Sequence, residues 1–534
     1  MNQSPSTSRR NRSNDRKIAW GMLASLTGRF VAALGGLVLL PCLYRYLTAA
    51  ELGIWFLIAQ PAVLLGLLDF GLTPTITRKI ALLSADCSPE SDSGGVRSAR
   101  LASVVAMAKR LFAINSIVVC IICLGFGQWI ANQVQYDEAY RPLLRNVFLL
   151  ASLSYALQAY SGRFMAQLAG RGHVGPAAGV AAGVRLLGII AKVVAVVLGG
   201  RLLSIVIIDV FISGLTIFVA KLAIGRLEPS ANWIRHGAWC KATAAELRPL
   251  AIRSWLTGLG AFMVLKTDQY FIVFGLGPES LPDYQSTFFV FDQLHQVAMI
   301  AAVSSSVFIS QLWALGDFAG MHRLIRRSMD IAMTIMIGGA VFLLLCGETL
   351  FAVWLGENHY VGLAIMSVFT TMLVLETHHV VFAKATIASG DEGFAMPAIL
   401  AGGLNLAMTA ILIRTHGLLG VAAATMIAQM LTNNWYVIFR AHHRFHLSFW
   451  VHVKECVIPY VGIALCTAGP ALALRWKFPD MSDWIHLAMV SIWIGIICSA
   501  FLWKRHFAFP LRKPTSVIDS LAQANRAGES DLAA

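Results

Sequence analysis

Apolar stretches of about twenty residues recur from Ile18 to Trp503, and a run of that length is what a helix needs to cross a hydrocarbon core of about 30 Å. Fourteen such runs fall near 18–43, 52–74, 104–131, 143–168, 176–199, 202–225, 250–275, 284–312, 328–355, 361–386, 395–414, 417–440, 452–474 and 484–503. Lipid offers the backbone no hydrogen-bond partners, so runs of this length are read as helices, and the chain as an all-α, polytopic membrane protein. With 57% hydrophobic and only 13% charged residues over 534 positions, a water-soluble fold is excluded.

The net charge of +14 invites a nucleic-acid reading, but its placement argues otherwise. If the N-terminus lies in the cytoplasm, 31 of the 42 Lys and Arg fall in inner tails, inner loops and their flanking turns, and 7 in outer loops. That is the positive-inside bias of a bacterial inner-membrane protein, with both termini cytoplasmic, and no nucleic-acid partner is expected. The nine cysteines are scattered, and Cys120 and Cys123 sit mid-span, so neither a disulfide framework nor a metal site is indicated. The His-rich run HHRFH at 442–446 lacks Cys or carboxylate company and is not read as a metal site either.

Six runs on each side of a long basic segment give the domain plan. Residues 1–17 form a basic cytoplasmic tail read as disordered, 18–225 an N-lobe and 226–249 an amphipathic connector carrying Trp233 and Trp239. Residues 250–445 form a C-lobe, 446–508 an extra helix pair, and 509–534 a second cytoplasmic tail. The lobes share marks: Leu52 and Trp55 match Leu281 and Tyr284, and Gly172, Pro176 and Ala177 match Gly393, Pro397 and Ala398 at the corresponding inner turns. Six is even, so the lobes face the same way, related by a pseudo-two-fold along the membrane normal with a cavity between them.

The stretch LTAAELGIWFLIAQPAVLLGLLDFGLTPTITRKIA, Leu47 to Ala81, follows an Arg-bearing first span, opens on Gly-x-Trp (Gly53 to Trp55), and closes on Asp-Phe-Gly-Leu and a basic turn. In this ordering, and in the segment VLKTDQYFIVFGLGPESLPDYQ, it resembles the oligosaccharide flippases of the polysaccharide-export group, the Wzx-like branch of the multidrug/oligosaccharidyl-lipid/polysaccharide exporter superfamily. The resemblance runs to about Arg444. It implies a non-enzymatic transporter that moves a polyprenyl-diphosphate-linked oligosaccharide by alternating access for O-antigen, capsule or exopolysaccharide synthesis. Membrane lipid, a polysaccharide polymerase and glycosyltransferases are the expected partners.

Charged groups inside a bilayer normally face a bundle interior or a wet cavity, so four buried cations stand out: Arg29, Arg185, Lys192 and Lys266. Arg29 lies near the middle of the first span, and the resemblance implies a cavity-facing, anion-binding role for it. Arg185 and Lys192 are two turns apart on one face, suited to phosphates or acidic sugars, unless one reaches an interface and the other pairs with Asp209. Asp268, two residues after Lys266, reads as a cavity acid or a partner for Arg29. Two acid–histidine pairs at i, i+3, Asp292 with His295 and Glu376 with His379, are candidate proton-coupling elements, the alternative being a solvated lining. His378 reads as packing. Asp69, Arg78 and Lys79 are read as a cytoplasmic latch or an interfacial anchor.

No G-x-x-x-x-G-K-[ST] run occurs, so ATP hydrolysis is not expected. No cofactor is needed: the membrane potential suffices as a drive, with proton or sodium coupling left open. A drug antiporter would favour acidic cavity residues. A peptidoglycan lipid-precursor flippase shares the fourteen-helix plan and stays open as an alternative. A polyprenyl-dependent glycosyltransferase or polymerase needs a larger outer loop than 131–145 provides.

Overall fold

The computed structural model describes residue 28 and residues 35–59, 69–85, 96–133, 141–228, 266–314, 316–391, 393–477 and 482–508, together with parts of 245–264. Arg29, both tails and most of the 226–249 connector lie outside the described residues. All regular structure among the described residues is helical. In chain order the first half holds α1 (35–46), α2 (Ala49–Ala59), α3 (Leu72–Ala85), α4 (Val96–Gln133), α5 (Arg141–Gly170), α6 (Val174–Val197) and α7 (Leu202–Leu227). The second half holds α8 (Asp268–Leu276), α9 (Leu281–Ala298), α10 (Ile300–Ala314), α11 (Phe318–Leu355), α12 (Leu363–Ala388), α13 (Ala395–Leu431) and α14 (Asn433–Phe445). Two more follow, α15 (Ile458–Lys477) and α16 (Asp483–Trp503).

Nine helices among the described residues are long and apolar enough to cross a membrane, or ten when α9 and α10, bent by 41° at Met299, count as one. One of the nine runs from Ala395 to Phe445, and its 51 residues would be about 76 Å long if straight, far more than a bilayer core of about 30 Å. The backbone leaves helical geometry at Gly417 (φ 54°, ψ −134°), a conformation that residues with a Cβ rarely adopt, so two shorter segments meet there. The break falls where the sequence separates 395–414 from 417–440.

Helix packing is concentrated within each half. In the first, α5 packs on α3, α4, α6 and α7; in the second, α11 and α12 pack on each other and on their neighbours. The pair α15–α16 packs on α11 and on itself. The halves meet where α2 lies against α8, α9 and the 278–280 turn. Gly53 is what permits that approach, because a Cβ there would collide with the backbone of Pro278.

At the two compared turns the glycines with positive φ are Gly172 (84°) and Gly390 (88°); Gly393, which the sequence comparison set against Gly172, is not one of them. Arg171 and His173 hold Glu228 at 2.8 and 3.1 Å, tying the α5–α6 turn to the end of α7. Asp391 holds Arg440 at 2.6 Å, tying the α12–α13 turn to α14 with the polarity reversed.

Candidate functional site

The apolar cores differ between the two ends of the molecule. One cluster crosses between the halves and includes Leu43, Leu52, Ile54 and Leu57 with Leu281, Tyr284, Phe291, Phe351 and Phe369. Toward the other end the cores separate: Ile76, Ile80, Leu101, Phe112 and Ala166 form one cluster, Met329, Met333, Phe382 and Phe445 another. A ring contact of 5.8 Å between Phe70 and Trp255 still joins the halves there.

At the shared-core end a polar latch lies over the apolar seam. The Tyr44 hydroxyl donates to Asp283 Oδ1 at 3.2 Å and shares a 3.0 Å hydrogen bond with Ser286. His359 Nδ1 meets the same Asp283 oxygen at 2.8 Å, and its ring stands edge-on to Tyr44 at 4.6 Å. Beside them, Trp354 Nε1 donates to the Leu37 carbonyl at 2.8 Å. Arg201 grips Glu51 with two hydrogen bonds of 2.9 and 2.7 Å, bracing the start of α2 within its own half. The sequence offered no spacing signal for this latch, since its members come from the end of α1, the first turn of α9 and the α11–α12 loop.

The four cations singled out from sequence meet different fates. Lys192 forms a 2.6 Å ion pair with Asp209, the alternative set beside the cavity reading. Arg185, two turns earlier on α6, is exposed, and no acid is described beside it among the described residues. The same side of α6 receives the first span: a Cβ on Gly28 would meet Ala182 at 3.2 Å, and one on Gly35 would strike Ile189. Lys266 is half-buried, 5.4 Å above the Phe288 ring. Arg29 lies outside the described residues. A further in-span cation, Arg163, was not singled out from the sequence: its guanidinium lies 4.0 Å from the Phe164 centroid and 4.6 Å from that of Tyr160.

Asp268 is buried in a polar cage. Thr425 Oγ1 donates to it at 3.0 Å, the Tyr284 hydroxyl at 3.2 Å, and Asn405 Nδ2 approaches at 3.5 Å. Asn405 Oδ1 accepts in turn from Thr425 at 3.0 Å and Thr409 at 3.3 Å. One carboxylate, an amide oxygen and hydroxyls drawn from α8, α9 and α13 make an oxygen-rich, singly charged site. Such hard ligands suit a proton or a monovalent cation better than a transition metal.

The two acid–histidine pairs form one group. His295 Nδ1 lies 2.8 Å from Thr377 Oγ1, which places Asp292 and His295 of α9 against Glu376, Thr377 and His379 of α12. His379 Nδ1 is 3.7 Å from Glu376 Oε2. Next to them, His378, His442 and His452 cluster around Phe382: His378 stands edge-on to it at 5.6 Å, His442 and His452 lie tilted against it at 5.8 and 5.3 Å, and His442 and His452 meet edge-on at 4.7 Å.

Asp69 caps α3, accepting from the Thr73 amide at 2.9 Å and hydroxyl at 2.8 Å. The Arg78 side chain lies outside the described residues. Between α15 and α16, Pro470, Ala471, Met489, Val490, Trp493 and Ile496 line an apolar groove of about 320 Å³.

No protein-family model matches the sequence, and no curated protein matches it significantly. Solved structures do. The lipid II flippase MurJ in an inward closed conformation has a TM-score of 0.66 at 16% identity, covering 91% of this chain and 99% of that one. A multidrug resistance MATE family transporter of the MOP superfamily, inward-facing, has a TM-score of 0.65 at 13% identity, covering 80% and 98%. A MOP superfamily transporter from Pyrococcus furiosus, whose binding pocket is described as of reversed polarity, has a TM-score of 0.59 at 12% identity, covering 81% and 96%. At these identities the likeness is one of fold, and the chain has the fold of the MOP-superfamily transporters.

Proposed function

We propose that the protein is a flippase that carries a polyprenyl-diphosphate-linked oligosaccharide across the bacterial inner membrane by alternating access, for assembly of a surface polysaccharide. The observation that carries this reading is the asymmetry between the ends: a core and a hydrogen-bonded latch shared by the halves at one, separate cores at the other. Two bodies joined mainly at one end can rock about that seam. The lipid tail stays in hydrocarbon while the diphosphate and glycan occupy the gap, near the exposed cation Arg185.

The energetics fit such a substrate. About two negative charges moving outward gain roughly 4.6 kcal/mol per 100 mV of inside-negative potential, enough to bias transport unaided. Fixed cations replace lost hydration but set no direction. The Asp268 cage is the place for a coupling proton or sodium ion, and the His295–Thr377 group a second point of proton exchange.

A second reading is supported by coverage. The lipid II flippase structure covers more of this chain than the multidrug structure, 91% against 80%, a difference about the length of the C-terminal helix pair. An apolar groove on that pair suits a lipid tail, so a peptidoglycan lipid precursor is the alternative cargo. The test is complementation: in cells lacking their own polysaccharide flippase the wild-type gene restores surface glycan, and Arg185→Glu, inserted at equal level, does not. Restoration of peptidoglycan synthesis in a strain lacking its lipid II flippase, without restored surface glycan, selects the alternative.

A further inference from the structure

We infer that the junction of α11, α15 and α16 is a binding site for the phosphate of an anionic phospholipid, separate from the transport cleft. Asp330 of α11 is fully buried there. Its Oδ2 lies 3.1 Å from Arg505 Nε and 3.3 Å from His506 Nε2, and its Oδ1 accepts from the Tyr460 hydroxyl at 2.9 Å. Arg326 pairs with Glu455 at 2.8 Å, and Arg505 also donates to the Glu455 carbonyl.

Two π-helical turns, Val453–Val457 and Lys504–Ala508, supply these partners. Such turns are rare and gather at functional sites, where the extra residue re-aims side chains. Here the Lys504–Ala508 turn brings Arg505 and His506 to Asp330, while the Val453–Val457 turn supplies Glu455, which pairs with Arg326 and accepts from Arg505 through its carbonyl. The two acids of the cluster are thereby engaged by Arg505 and Arg326, yet Arg327, Lys454 and Lys504 remain exposed around them without a described acidic partner among the described residues. Arg327 is within electrostatic reach of His506, and Lys454 and Lys504 are the chain neighbours of Glu455 and Arg505, the residues that join this cluster.

Depth identifies the ligand. With 38 residues, α11 is about 57 Å long, nearly twice the hydrocarbon thickness, so its first turns, with Arg326 and Arg327, project to headgroup level. Trp450 and Trp503, 76% and 65% exposed, flank the cations, and indole rings concentrate at that same interface. Basic clusters between helix ends at this depth select anionic headgroups. The phospholipid phosphate is therefore the occupant, and it would hold α15–α16 against α11.

The experiment is native mass spectrometry of the full chain offered phosphatidylglycerol or phosphatidylcholine. Each basic residue is worth about a fivefold gain in affinity for an anionic lipid, so the variant Arg327→Gln/Lys454→Gln/Lys504→Gln should retain phosphatidylglycerol about a hundredfold less well. Phosphatidylcholine should bind weakly to both. Photoreactive phosphatidylglycerol on the wild-type chain should label segments 449–457 and 503–506, a readout independent of how the variant folds. Equal retention by the variant overturns the proposal, as does equal loss in an Arg100→Gln/Lys109→Gln/Arg110→Gln control. Retention of a polyprenyl diphosphate but not phosphatidylglycerol overturns it too, by making the junction a cargo site. None of these readouts measures transport, so the flippase reading stands or falls separately.

Discussion

Tyr44 and Asp283, 239 positions apart, join the two halves of the molecule through a 3.2 Å hydrogen bond from phenol to carboxylate. The bond lies over the only apolar core, among the described residues, that both halves share. It is placed where opening this end must break it.

Removing that bond should favour the opposite opening. A hydrogen bond to a charged group contributes about 1.5–3 kcal/mol, so Tyr44→Phe should shift the two-state population about ten- to a hundredfold. Spin labels across the seam, read by double electron–electron resonance, should report a longer distance. An unchanged distribution would make the contact ornamental to gating.

The ion pair on α6 and the exposed arginine beside it should separate in their effects. Lys192→Met leaves the half-buried Asp209 without this ion pair and should destabilise the protein by about 1–3 kcal/mol, with much of the loss recovered in Lys192→Met/Asp209→Asn. Arg185→Ala should leave thermal stability nearly untouched and impair transport. Thermal unfolding in detergent, beside a transport assay, distinguishes the two.

The Asp268 cage should bind its cation in a way seen as stabilisation. At a hundredfold excess over its dissociation constant a ligand adds about 2.7 kcal/mol, so added sodium, or a fall in pH if the ligand is a proton, should raise the wild-type melting temperature. Asp268→Asn and Thr425→Val should abolish the response. A response kept by both variants would place the ion elsewhere.

Asp391 gives a pH prediction outside the spans. The hydrogen bond from Arg440 holds its carboxyl below the usual carboxylate range. Its contribution is therefore fully present above the unfolded value of about 3.9 and is lost as pH falls through the lower folded one. Asp391→Asn should cost about 1 kcal/mol at neutral pH, and the gap to wild type should close in strong acid.

Much of this architecture was legible because bilayer physics imposes length and charge rules on each segment. The break at Gly417 follows from the spacing of the apolar runs, whereas Lys192, read as a cavity cation, is held by Asp209, and Asp268, read as a cavity acid or a partner for Arg29, is caged by Thr425, Tyr284 and Asn405. The latch was not legible, since Tyr44 at the end of α1, Asp283 in the first turn of α9 and His359 in the α11–α12 loop come together only on folding. Nor was the Asp330 cluster, whose partners depend on π-helical turns that no hydrophobic period announces. The second-half histidines lay between these cases: i, i+3 spacing marked each pair, but only the contact of His295 with Thr377 joined them.

The account rests on movement of an anionic glycolipid through the gap between the halves. The direct measurement uses sealed liposomes holding the purified chain and a fluorescent polyprenyl-diphosphate oligosaccharide, with appearance of the glycan at the outer leaflet followed under an imposed potential. The account predicts translocation that quickens with inside-negative voltage and is lost in Arg185→Glu. A rate equal to that of protein-free liposomes, or one indifferent to both voltage and Arg185, would contradict it.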